Sequence, residues 1–132
     1  MIDWLINGRT TQHPLMTQAS YPNLPIVLDP LALSSVITEP YRNSQLTAEN
    51  DHEIRMSVMT GSFQWHRHPD SDESFYCIDG QLIIEFPDGE VCLRPGQFLT
   101  VPAGMLHRTR PAGDRSVNLT FERAGAETQF ED

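Results

Sequence analysis

Beyond Gln45 the chain alternates short apolar or alternating runs with turn-forming residues at near-regular intervals. The runs are "SQLTA", "EIRMSVM", "SFQWHRH", "SFYCI", "QLIIEF", "EVCLR", "QFLTV" and "SVNLTFE". Between them stand Asn50-Asp51, Thr60-Gly61, "HPDSD", Asp79-Gly80, "PDG" at 87–89, Pro95-Gly96, "PAG" at 102–104 and "PAGD" at 111–114. Runs of this length and spacing predict an all-β sandwich or barrel. The first thirty residues read differently: Pro14, Pro22, Pro25 and Pro30 interrupt a polar stretch with no period of 2 or 3.6, which predicts an extended arm. Asp29 followed by Pro30 has the form of an N-cap with proline in the first helical position, so "PLALSSVI" is expected to make a short helix that Pro40 stops. The terminal "AGAETQFED" is acidic and expected to fray. The expected organisation is an N-terminal arm with one short helix over 1–44, a barrel over 45–123 and an acidic tail over 124–132.

A chain of 132 residues suits one domain, and folding at this size hides roughly 65 to 70% of the unfolded surface. The composition, 39% hydrophobic and 20% charged, is that of a globular protein and not of a disordered one. A formal net charge of -9 and a pI near 4.8 argue against nucleic acid and anionic membranes as partners, because both demand a cationic face. All nine cationic side chains are arginine, and the absence of lysine excludes Schiff-base chemistry, pyridoxal attachment and a P-loop. Cys77 and Cys92 are too few for a disulfide framework and form no CxxC pair, so a reducing compartment is expected. The opening "MIDWLINGRTTQHP" lacks the cationic start and long apolar run of a signal peptide, and no segment has bilayer-spanning length. A cytoplasmic location is therefore expected.

The densest chemistry lies in "WHRHPDSDE", Trp65 to Glu73. In a strand, side chains at i and i+2 share a face about 6.5 to 7 Å apart. His66 and His68 can then offer two imidazoles to one ion while Arg67 faces away. A third ligand must come from another segment, and Glu73, after a turn long enough to reverse the chain, is placed to return to the same point.

His66, His68, Glu73 and Gly80 stand as H-x-H-x4-E-x6-G; Gly96, Pro102, Gly104 and His107 stand as G-x5-P-x-G-x2-H, with fifteen residues between Gly80 and Gly96. In these motifs the chain closely resembles the cupin superfamily, and more narrowly the small single-domain bacterial cupins often compared with mannose-6-phosphate isomerase. The resemblance spans about Gln45 to Glu122 and does not extend over the arm. It implies a double-stranded β-helix (jelly-roll) barrel in which His66, His68, Glu73 and His107 hold one divalent metal. Two positions depart from the family pattern: four residues separate Gly61 from His66 where five are usual, and Pro111 stands where asparagine is frequent. Both fall at turns or strand ends, away from the ligands.

Three imidazoles and a carboxylate suit Fe, Mn, Zn, Ni, Co or Cu, and four protein ligands leave a coordination position for water or substrate. Affinity order alone does not choose among these metals. Glu73 has two readings, a metal ligand or a catalytic base beside the metal. Asp70 and Asp72 read as a solvated turn, and His13 and His52 lie outside both motifs. Counting in twos from the histidines and Glu73 puts Ser62, Gln64, Phe75, Cys77 and Thr109 on the inner face, with Arg108, Arg110, Trp65 and Tyr76 on the other. Few polar groups and no cation then remain inside, so a small, partly apolar ligand is expected and sugar phosphates are disfavoured.

Two functions follow. The first is a metal-dependent enzyme on a small organic molecule, dioxygenase-like or lyase-like, with isomerase chemistry less supported. The second is a metal or small-ligand binding module without catalysis. A homodimer is expected, with the proline-rich arm covering an edge strand.

Overall fold

The computed structural model describes residues 24–131. The arm expected over the first residues, and His13 within it, lie outside the described residues up to residue 23. Among the described residues the first element is α1 (Pro30–Ser34), followed by β1 (Tyr41–Glu49), β2 (His52–Met59), β3 (His66–Arg67), β4 (Glu73–Asp79) and β5 (Leu82–Phe86). Then come β6 (Gly89–Leu93), β7 (Phe98–Val101), β8 (Arg108–Pro111), β9 (Ser116–Arg123) and β10 (Gln129–Phe130). The helix starts as the sequence predicts, with the Asp29 carboxylate accepting from the Ala32 amide and Pro30 in the first turn. It stops at Ser34, short of the eight residues expected.

A five-stranded sheet runs in the order β1-β2-β9-β4-β7 and a three-stranded one in the order β6-β5-β8. The pairings within both are antiparallel. Met59, Phe75 and Cys77 from the first sheet pack with Leu82, Ile84 and Leu93 from the second, so the sheets face each other across a common interior. A second apolar cluster lies on the opposite face of the large sheet, where Leu33 and Ile37 cover Leu46, Met56, Val58 and Val117. Arg115 ties this cover down by donating to the carbonyls of Ser34 and Ile37. The large sheet is therefore covered on both faces, and this decides what its interior carries.

Along β2 the apolar positions Ile54, Met56 and Val58 alternate with Glu53, Arg55 and Ser57. The apolar set includes the residues under α1, while the polar set lines the interior cavity. The same inversion recurs on β9, whose Val117 and Leu119 pack outward while Thr120 and Glu122 turn in. The registers Glu53↔Glu122↔Glu73 and Arg55↔Thr120↔Phe75 set these side chains in two rows across three strands.

The C-terminal tail differs from expectation. It does not fray: Gln129 pairs with Arg67 and Phe130 with His66, and the Glu131 amide donates to the Trp65 carbonyl at 3.0 Å. An acidic sequence has no apolar periodicity to announce such a strand, which is held by backbone bonds to β3 and an Arg67–Glu131 ion pair at 3.4 Å.

Candidate metal centre

His66 and His68 leave β3, Glu73 opens β4, and His107 precedes β8. His66 and His107 exchange both backbone hydrogen bonds at 2.9 Å, an isolated antiparallel bridge that brings the two motifs side by side. The four side chains are buried, and one ligand atom from each lies within 4.8 Å of the others.

The orientation of each ring is fixed from behind. His66 Nδ1 is 2.8 Å from the Gln64 carbonyl, His107 Nδ1 is 2.8 Å from the Met105 carbonyl, and His68 Nδ1 is 3.0 Å from the Glu127 carbonyl. A carbonyl oxygen can only accept, so in each neutral ring Nδ1 carries the proton and Nε2 presents its lone pair. Glu73 Oε1 stands 3.1 Å from His68 Nε2 and 3.2 Å from His107 Nε2. The His68 contact lies off the hydrogen-bonding direction, leaving that buried nitrogen without a hydrogen-bond partner. Three imidazole nitrogens and one carboxylate, pre-oriented toward one point with one nitrogen unsatisfied, fit a first-row transition metal ion.

Without a metal the site settles its charge internally. Burial disfavours ionisation of Glu73, but the hydrogen bond to His107 and the adjacent His68 imidazole override it and hold the carboxyl well below its usual range. For His68, burial acts to lower the pKa, yet the adjacent Glu73 carboxylate and the Glu127 carbonyl raise it to about 9. His66 is shifted down, first by burial and then by the neighbouring imidazoles, with the Gln64 carbonyl opposing. Glu122 is pushed up to about 7 by burial and by the Glu73 carboxylate beside it.

These shifts set the pH response of the metal-free protein. His68, raised from 6.5 to about 9, contributes stability that is full below pH 6.5 and lost as pH rises through 9. Glu122, raised from 4.5 to about 7, acts in the same direction between those values, the lowered His66 acts oppositely and adds stability as pH rises toward 6.5, and the lowered Glu73 loses its contribution only as pH falls below 4.5. With chelator present, the melting temperature is expected to fall by about 5 °C between pH 6.5 and pH 9, solvent screening at half-buried Glu122 limiting the effect. A melting temperature that climbs between pH 6.5 and pH 9 would contradict these assignments.

His66, His68 and Glu73 line a cavity of about 370 Å³, while His107 is buried and outside its lining. Phe63, Phe75, Phe130 and Tyr41 make its aromatic wall, with the Tyr41 and Phe63 rings stacked at 5.1 Å. Gly125, Ala126, Thr128 and Phe130 of the tail close one side. Of the inner-face positions expected from parity, Phe75 and Thr109 line the cavity and Cys77 is buried in the core. Ser62 and Gln64 are exposed, because residues 62–65 are not paired as a strand and parity does not propagate through them. Arg108 and Arg110 point away as expected and share Glu85, with the Arg108 guanidinium 4.9 Å over the Trp65 ring. Asp70 and Asp72 are structural, accepting from the Glu127 and Ala103 amides respectively, and His52 is exposed beside Asp51.

The expectation of an interior without cations or many polar groups is overturned. Asn43, Glu53, Arg55 and Glu122 also line the cavity. They sit on β1, β2 and β9, outside both motifs; the signal that points to them is the polar set of the alternation "EIRMSVM", once the face it occupies is known.

The Cupin domain family matches residues 53–121. Over 99 residues, 74% of this chain and 87% of the other, the sequence is 42% identical to the uncharacterized protein YdbB of Bacillus subtilis (strain 168). A stretch of 45 residues, 34% of this chain and 13% of the other, is 42% identical to quercetin 2,3-dioxygenase of the same organism. Among solved structures, a cupin-2 domain containing protein from Shewanella frigidimarina NCIMB 400 superposes with a TM-score of 0.69 at 25% identity. That match covers 74% of this chain and 94% of the other.

Proposed function

The chain belongs to the cupin domain family, and from that premise we propose that it is a divalent-metal-dependent enzyme acting on a small organic substrate by dioxygenase-like or lyase-like chemistry. The observation that carries this reading is the convergence of three imidazole nitrogens and Glu73 on one point, with His66, His68 and Glu73 lining a cavity large enough for a small ligand. His66, His68, His107 and Glu73 would hold the metal. Bound there, it would supply a Lewis-acidic or redox centre to an oxygen function of the substrate.

The surrounding residues supply orientation and dryness. The carbonyls of Gln64, Glu127 and Met105 keep the three rings turned toward one point, and the phenylalanine wall excludes water from the substrate's apolar face. Of the two readings of Glu73, ligand is the better supported, since its carboxylate is engaged by two histidines and held too acidic to accept a proton readily. The short likeness to quercetin 2,3-dioxygenase is consistent with oxygen-dependent chemistry on an enol or phenol.

The test begins with metal content of the purified protein, expected near one equivalent. Reconstituted protein is then screened for O2 uptake with enols, diketones and catechols, and for anaerobic product release as the lyase arm. Metal binding without turnover in either arm would favour the binding module instead. A protein that refuses every added divalent ion would overturn both readings.

The tail carries a prediction of its own. Removing residues 127–132 takes away the carbonyl that accepts from His68 Nδ1 and the Thr128 hydroxyl 3.2 Å from the same nitrogen. Metal affinity measured by competition with a chromophoric chelator is expected to fall about tenfold. An unchanged affinity would mean that the strap does not orient His68.

A further inference from the structure

The end of the cavity away from the histidines is also built as a recognition site. Arg55 lines it with its guanidinium held on three sides: Nε donates to Asn43 Oδ1, Nη2 to the Asn43 carbonyl at 3.2 Å, and Nη1 to Glu53 Oε1 at 3.2 Å. These bonds fix the plane of the group and, among the described residues, leave one N–H on each terminal nitrogen uncommitted. Directly across the strand pair stands Thr120, 2% exposed, lining the same cavity, with a hydroxyl that has no hydrogen-bond partner among the described residues. A buried hydroxyl without a partner costs stability, so its position beside an oriented guanidinium marks a place where a ligand oxygen would be satisfied.

Charge narrows the ligand. Glu53 lines the cavity with its carboxylate 3.2 Å from Arg55 Nη1 and already offsets the charge of the single arginine in the lining. A second anionic group carried to this end would meet the Glu53 carboxylate, whereas a carbonyl or hydroxyl oxygen would meet N–H and O–H donors without that repulsion. Arg55 sits two strands from Glu73 and one inward position further along, so strand spacing and rise put their Cα atoms about 12 Å apart. With side chains filling part of that distance, the span suits a molecule of about one ring, lying against the aromatic wall.

We propose that Arg55 and Thr120 form a second recognition point. The molecule this cavity takes is a small planar compound that presents one oxygen function to the His66, His68, Glu73 and His107 end and a second, uncharged oxygen function to Arg55 and Thr120. The inference rests on the metal-enzyme reading for its first contact and adds the substrate class.

The test uses cobalt(II)-loaded protein, whose visible spectrum reports ligands entering the metal's coordination shell, titrated with catechol, 3,4-dihydroxybenzamide and 3,4-dihydroxybenzoate. The amide is expected to bind about tenfold more tightly than the carboxylate. Arg55→Met should remove about tenfold of the amide's affinity while leaving catechol, whose only oxygens are the two adjacent hydroxyls offered to the metal end, nearly unchanged. Because Arg55→Met also strips Asn43 and Glu53 of a partner, Glu53→Gln serves as the second variant. With one carboxylate gone and the guanidinium unopposed, the preference for amide over carboxylate should shrink or reverse. Equal or tighter binding of the carboxylate by the unmodified protein, or an Arg55 effect equal on catechol and amide, would overturn the assignment and leave the metal reading standing. A cobalt spectrum that none of the three compounds moves would overturn both together.

Discussion

Replacing His107 by alanine is expected to lower metal affinity at least about a hundredfold and to abolish any metal-dependent turnover, the magnitude following from the tenfold to hundredfold that loss of a mere supporting partner costs such sites. His107 is 1% exposed, and its ring touches the other members of the cluster: the centroid lies 4.4 Å from that of His66, and Nε2 is 3.2 Å from Glu73. Truncation leaves a void where a nitrogen donor stood and removes one of the two histidines that hold Glu73 ionised. The backbone should survive, since the bridge to His66 is made by main-chain atoms that alanine retains. The discriminating measurement is therefore elemental analysis after dialysis against a defined metal buffer, alongside circular dichroism. Native-like spectra with a metal content below a tenth of an equivalent are the expected pair. Full metal retention by the folded variant would remove His107 from the ligand set.

Gly80→Ala is expected to cost the fold about 3 kcal/mol, from a left-handed backbone that disfavours a side chain and from a collision with main chain. Gly80 has φ +72°, and a Cβ built on it would sit 2.1 Å from the Arg115 carbonyl oxygen. That oxygen cannot retreat cheaply. Arg115 is anchored through its guanidinium to Ser34 and Ile37, and the next residue begins β9. Gly104, at φ +84° with nothing within 4 Å of its Cβ position, separates the two contributions. Gly104→Ala should cost only about 1 kcal/mol, the conformational part. In thermal melts the Gly80 variant should lose about 10 °C more than the Gly104 variant. Equal losses would mean that the close approach to Arg115 is relieved by a backbone shift.

The two glycines show the limit of reading motifs. The sequence marks Gly80 and Gly104 alike, as turn residues at set spacings, because a positive φ is a local property that turn composition reports. The contact with Arg115, thirty-five positions away, is not local, and it separates a costly site from a tolerant one. Much the same holds for the tail. Its backbone pairing to β3 needs no side-chain pattern, so an acidic segment expected to fray closes the cavity and holds a histidine.

By itself the sequence determined the fold class, the two motifs and the shared face of His66 and His68, because strand length, turn chemistry and the two-residue histidine spacing are short-range geometry; that His107 joins them with Glu73 was implied only by the family resemblance the motifs carry. Which face of β2 and β9 lines the interior was decided only by the tertiary structure. Alternation sorts residues into two faces without saying which is inside, and the usual preference for apolar side chains inward fails here because Leu33 and Ile37 cover the outer face and draw Met56, Val58 and Val117 toward them. The interior was thereby left to Glu53, Arg55, Thr120 and Glu122. The cavity's polarity follows from a short helix packed on the far side of the sheet, a consequence of packing that no pattern within the strands could carry.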